Sequence, residues 1–64
     1  MQINVWKIRT QKGLSLRELA KRSGVSKTHI DNIESGKTMP TIDIICKIAK
    51  ALEVDPRELY DYDK

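Results

Sequence analysis

Apolar residues recur along the chain at three- and four-residue intervals, in short blocks separated by glycine or proline. Val5 and Ile8 form the first block, Leu16, Leu19 and Ala20 the second, and Ile30 and Ile33 the third. Positions 42, 45, 48, 49 and 52 form the fourth and keep the 3.6-residue period of an amphipathic helix most closely. The punctuation agrees with this period. Gly13, Gly24 and Gly36 can each end a helix in the left-handed conformation, and Pro40 and Pro56 mark two later breaks. Ser15-Leu16-Arg17-Glu18 reads as a capping box, Ser26 as a second N-cap, and Asp55-Pro56-Arg57-Glu58 as an acidic cap with proline at the first helical position. Helices are therefore predicted over about 3–12, 15–23, 26–35, 41–52 and 55–60, with no strand and a loose tail at 61–64.

Size and composition narrow the class. Sixty-four residues allow one domain, here the whole of 1–64, with a small stability margin. One cysteine, Cys46, excludes an internal disulfide, and no Cys/His cluster has metal-ligand spacing. The core must form unaided from eight isoleucines and five leucines without phenylalanine, which favours an all-α, compact five-helix bundle. A chain this short has little room for a catalytic cleft, so no enzyme, cofactor, metal or small-molecule substrate is expected. The N-terminus lacks a basic start followed by an apolar run, and no stretch approaches a membrane span. A cytoplasmic, nucleoid-associated protein is expected, with no membrane partner and no effector domain.

Charge is unevenly spread. Residues 1–40 carry eight bases and three acids, hence +5, whereas residues 41–64 carry four bases and six acids, hence −2. A cationic half on a small domain points to a polyanionic partner, most often nucleic acid.

The second and third predicted helices are joined by only Gly24-Val25. Glycine lets the chain turn sharply through positive φ, and the small Ala20 lets the next helix cross closely. The spacing Leu16-x3-Ala20-x3-Gly24-x5-Ile30-x2-Ile33 thus specifies a helix-turn-helix, whose second helix enters the DNA major groove. Lys27, Thr28, Asp31, Asn32 and Ser35 then share the outer face of that second helix. Lys27 can donate to guanine O6 and N7, Thr28 can meet the thymine methyl, and Asn32 matches adenine N6 and N7. Asp31 can accept from cytosine N4, or pair with Lys27 and add repulsion against phosphate.

The blocks Gly13-Leu14-Ser15-Leu16-Arg17-Glu18-Leu19-Ala20, Gly24-Val25-Ser26-Lys27, Ile33-Glu34-Ser35-Gly36-Lys37, Pro40-Thr41-Ile42 and Lys47-Ile48-Ala49-Lys50-Ala51-Leu52 resemble the Cro/phage-repressor type of helix-turn-helix protein, the XRE family. The resemblance covers about Val5 to Leu59. It implies a five-helix, lambda-repressor-like domain that binds a two-fold operator as a dimer and regulates transcription, most often as a repressor. It also implies base reading by Lys27, Thr28 and Asn32, and an ion pair between Arg9 and Glu34 across the bundle rather than DNA contacts from them. Leu16 stands where the family often has a phosphate-binding glutamine, and Glu53 where it commonly has glycine.

Phosphate contacts are expected from Ser15 and Ser26 at the helix starts, from Ser35, Lys37 and Thr38 beyond the recognition helix, and from Arg17. His29 has no second imidazole or carboxylate cluster beside it and is read as a surface residue near the DNA backbone. Cys46 is read as half-buried packing. Ile3 and Trp6 project away from Val5 and Ile8, either as an interface or folded over the bundle edge. Leu59, Tyr60, Tyr62 and Ile44 form a second candidate surface for a dimer or a protein partner. An antitoxin-like or adaptor module that mainly holds a protein partner is the rival reading.

Overall fold

The computed structural model of the protein describes residues 2–61. Strand β1 (Gln2–Ile3) leads into helices α1 (Val5–Gln11), α2 (Leu16–Ser23), α3 (Lys27–Glu34) and α4 (Ile42–Leu52). A 3-10 turn (Pro56–Leu59) and strand β2 (Tyr60–Asp61) follow. Local chemistry accounts for the helix starts. The Ser15 Oγ accepts from the Glu18 N–H while the Glu18 carboxylate accepts from the Ser15 N–H, which completes the expected box. Hydrogen bonding of the carboxylate to the Ser15 N–H, and then to the Ser15 hydroxyl, holds the Glu18 carboxyl below its ordinary range. Ser26 and Thr41 cap α3 and α4 in the same way, accepting from the His29 and Ile44 N–H groups.

Gly24 ends α2 at φ 76°, a conformation that costs a side-chain-bearing residue about 1–2 kcal/mol. From there the chain enters α3 within three residues. Val25, inside that turn, is buried and fills the angle between the two helices, a core position not apparent from periodicity. The core comprises Val5, Leu19, Val25, Ile30, Ile33, Ile45, Ile48, Ala49, Leu52 and Leu59. Helix α2 packs on both α3 and α4, so α4 forms the floor from which the α2–α3 pair is presented.

The five-helix bundle expected from the sequence is not formed. The described chain has four α-helices and a pair of two-residue strands, and the segment after Pro56 makes a single 3-10 turn. The acidic cap at Asp55 is present, with Glu58 completing its box. Elongation stops because Tyr60 is extended, at φ −147° and ψ 149°, and pairs with Ile3 while Asp61 pairs with Gln2. The same pairing moves the start of α1 from residue 3 to Val5 and removes Asp61 from the expected tail. Residues 62–64, the rest of that tail, lie outside the described residues. Asn4 reinforces the clasp, its N–H donating to the Leu59 carbonyl at 2.8 Å and its side-chain amide to Asp61 at 3.1 Å. Ile42 departs from the pattern as well. It fits the apolar period of α4 yet is 71% exposed, at the first helical position beside Pro40.

Helix α4 ends on Glu53 with φ 59° and ψ 44°, the one non-glycine residue with positive φ among those described. The residue is exposed, so the strain is not offset by burial of its side chain. Glu53→Gly is therefore expected to stabilise the fold by about 1 kcal/mol. That gain raises the thermal midpoint by about 4–8 °C in a domain of this size. A midpoint unchanged or lowered by the substitution would contradict the strain.

Candidate nucleic-acid interface

Helix α3 presents a polar face opposite its core stripe. At about 100° per residue, Lys27, Asp31, Ser35, Thr28 and Asn32 fan over roughly 140° of the helix circumference. Ile30 and Ile33 are buried on the other side. Lys27, Thr28 and Asp31 are exposed and Asn32 is half-buried. Among the described residues none of these four side chains makes an intramolecular hydrogen bond or ion pair. The pairing of Asp31 with Lys27 allowed by their spacing is not formed. The Asn32 amide thus keeps both its donor and its acceptor available, held on a helix whose inner face is fixed.

The edges of this face carry groups suited to anions. At the start of α2 the Ser15 and Glu18 N–H groups are taken by the capping box, so the Leu16 and Arg17 N–H groups are the ones left to point outward. The Ser15 hydroxyl both accepts in the box and serves the Glu18 carboxylate, whereas the Ser26 hydroxyl only accepts in its cap and keeps its hydrogen free to donate at the start of α3. Arg17, Lys37 and Thr38 are exposed and His29 is half-buried. The loop after α3 is tied down, since the Lys37 and Thr38 N–H groups both donate to the Asn32 carbonyl, at 2.9 and 3.3 Å. Ser35 is less suited to phosphate than the sequence suggests. Its hydroxyl donates to that same Asn32 carbonyl at 3.2 Å, and a phosphate oxygen offers only acceptors. Leu16 is half-buried against the core instead of facing outward.

Behind the face, Arg9 of α1 meets Glu34 at the end of α3. The Arg9 Nε donates to one Glu34 oxygen at 2.7 Å and Nη2 to the other at 3.0 Å, a bidentate pair. Nη1 donates to the Leu14 carbonyl at 2.9 Å, so the guanidinium also fixes the loop into α2. The two side chains are only 10% and 7% exposed. Hydrogen bonding to Glu34 raises the Arg9 pKa above its ordinary value, and the arginine stays charged at any working pH.

The candidate apolar surfaces are redistributed. Leu59 is fully buried and Ile44 packs half-buried against the core, which removes Leu59 from any interface. Tyr62 lies outside the described residues. Ile3 and Tyr60, paired across the strands, line a groove of about 170 Å³ with Pro40, Ile42 and Ile45. Trp6 does not fold over the bundle edge and is 59% exposed; Met39, overlooked in the sequence, is 58% exposed. Cys46 is exposed, not half-buried, because it lies one turn beyond Ile42 on the same uncovered side of α4. No helix among the described residues is long and apolar enough to cross a membrane.

Two short helices crossing at a left-handed glycine, with a polar outer face on the second, define a helix-turn-helix domain. The chain belongs to the XRE-type helix-turn-helix family, whose model matches residues 7–59. An HTH-type transcriptional regulator of Mycobacterium tuberculosis is 45% identical over 47 residues, covering 73% of this chain and 34% of the relative. SlrR of Bacillus subtilis, also an HTH-type transcriptional regulator, is 43% identical over 54 residues, 83% of this chain and 36% of SlrR. The chain thus spans about a third of the length of these curated relatives. Among solved structures, the restriction-modification controller protein C.AhdI from Aeromonas hydrophila superimposes with a TM-score of 0.85 at 37% identity, covering 89% of this chain and 86% of that one. The N-terminal DNA binding domain of SinR from Bacillus subtilis gives 0.84 at 33% identity, covering 92% and 87%.

Proposed function

We propose that the protein is a sequence-specific double-stranded DNA-binding transcriptional regulator, acting in the cytoplasm as a repressor that occupies a two-fold operator as a dimer. The unpaired polar face of α3 carries this reading. Lys27, Thr28 and Asn32 read base edges in the major groove, while Ser15, Ser26, Arg17, His29, Lys37 and Thr38 hold phosphates on either side. The +5 charge of residues 1–40 supplies attraction to any duplex. The resemblance to the SinR DNA binding domain and to the controller C.AhdI supports the same reading. One eight-residue α3 covers a small footprint, so two copies are needed for a site of useful length. The groove beside Ile3, Ile42 and Tyr60 is the surface proposed for their contact.

Selection of bound duplexes from a random library is the test. Enrichment of a motif with two-fold symmetry, its half-sites about one helical turn apart, is the expected result. No enrichment overturns sequence reading, and an asymmetric motif overturns the dimer. Lys37→Ala should weaken binding to all sequences alike and lower the salt slope by about 1, as loss of one phosphate contact does. A change confined to particular bases would remove Lys37 from the phosphate set. The exposure of Trp6, Met39 and Ile42 favours a second reading, in which the chain also holds a protein partner. A chain that stays monomeric on its operator and forms a stoichiometric complex with a different protein would support it.

A further inference from the structure

Three acids stand among the eight bases of residues 1–40: Glu18, Asp31 and Glu34. Two of them have structural work. Glu18 closes the capping box of α2, and Glu34 receives both donors of the Arg9 fork. Asp31 has none. Its carboxylate is exposed on α3 without a hydrogen bond or ion pair among the described residues, although Lys27 lies one turn before it. By helical arithmetic it sits between Lys27, about 40° to one side, and Thr28, about 60° to the other. That is the middle of the face proposed to enter the groove, where an anion opposes a polyanion unless a base rewards it.

The major-groove edge says which base can. Guanine shows N7 and O6, and thymine O4, all acceptors that repel a carboxylate. Adenine shows an amino group beside the N7 acceptor, and cytosine shows its N4 amino group with no acceptor beside it. We propose that Asp31 is a specificity-determining residue that accepts from the N4 amino group of a cytosine in the half-site and rejects guanine and thymine there. The neighbouring Lys27 fits the complementary part of the same edge, since the guanine partner offers O6 and N7 to a cation. An unpaired cation and anion side by side on one helix face are complementary to a guanine–cytosine pair, and their not pairing with each other leaves both available for it. This assignment rests on the DNA-reading function proposed above.

Selection from a random duplex library with the unmodified chain, Asp31→Ala and Asp31→Asn tests it. The unmodified chain should enrich cytosine at one position of each half-site. Asp31→Ala should lose about tenfold of the discrimination at that position alone, while binding random-sequence duplex more tightly because a negative charge is gone. Asp31→Asn, which offers a donor and an acceptor, should shift the preference there to adenine. Position 31 is exposed, and coincident thermal melts of the three chains establish that the comparison is between folded proteins. If Asp31→Ala binds every duplex more tightly but selects an unchanged motif, the carboxylate is only a repulsive charge and the assignment is overturned. If the unmodified chain enriches a motif without cytosine at a position sensitive to residue 31, the assignment fails while the DNA-reading function stands. If it enriches no motif, both fail together.

Discussion

Arg9→Ala should lower the unfolding free energy by about 3–5 kcal/mol, because it leaves the Glu34 carboxylate nearly buried with no cation to meet it. At about 0.05–0.15 kcal/mol per residue a chain of this size holds only about 3–10 kcal/mol in total, so the variant should lose a large share of its stability. Three donated bonds go at once: two to Glu34 and one to the Leu14 carbonyl. Glu34→Ala should cost a similar amount by stranding the guanidinium. Replacing both partners, as in Arg9→Met with Glu34→Leu, removes the stranded charge along with the pair and should recover most of the loss. Urea unfolding of the four chains separates these outcomes. A loss below about 1 kcal/mol in either single variant, the size expected of an exposed pair, would contradict the burial on which the argument stands.

The second large effect concerns recognition. Asn32→Ala should relax preference at one base pair by about 1–3 kcal/mol, with the adenine position of the motif the one affected. Its side chain makes no intramolecular bond among the described residues, so the fold should be unmoved. Lys27→Ala should relax a guanine position by a comparable amount. Competition between the selected duplex and its single-base-pair variants reads these losses directly. A uniform loss over all variants, like the one expected of Lys37→Ala, would assign these side chains to the phosphates and move the reading face elsewhere.

Whatever is settled within one turn of helix could be read along the chain. The boxes at Ser15 and Asp55, the cap at Ser26 and the left-handed turn at Gly24 all depend on neighbours two to four residues away. Glu53 belongs with them, its positive φ foreshadowed by a position where the family commonly has glycine. The strand clasp could not be read in the same way. Its two pairs join residues 57 to 59 positions apart, and two-residue strands have no room for an alternating pattern. The cap at Asp55 announces a helix honestly, and only the remote pairing of Tyr60 with Ile3 stops it after one turn. Ile42 fits the helical period yet is exposed, because periodicity fixes a residue's face on its own helix and not whether another element covers that face.

The outer face of α3 was legible because it is what remains when Ile30 and Ile33 are taken out of an amphipathic helix. The Arg9–Glu34 contact joins residues 25 apart, and family resemblance was the signal that suggested it. The engagement of the Ser35 hydroxyl with the Asn32 carbonyl was not foreseen, because it depends on the particular rotamer adopted at the helix end.

Sequence-specific reading by α3 is the central claim, and equilibrium titration of the selected duplex and a scrambled one, from about 50 to 200 mM salt, tests it most directly. Affinity for both duplexes should fall log-linearly as salt rises, with the selected one bound at least about 10³-fold more tightly throughout. Equal affinity for the two duplexes across that range would contradict it.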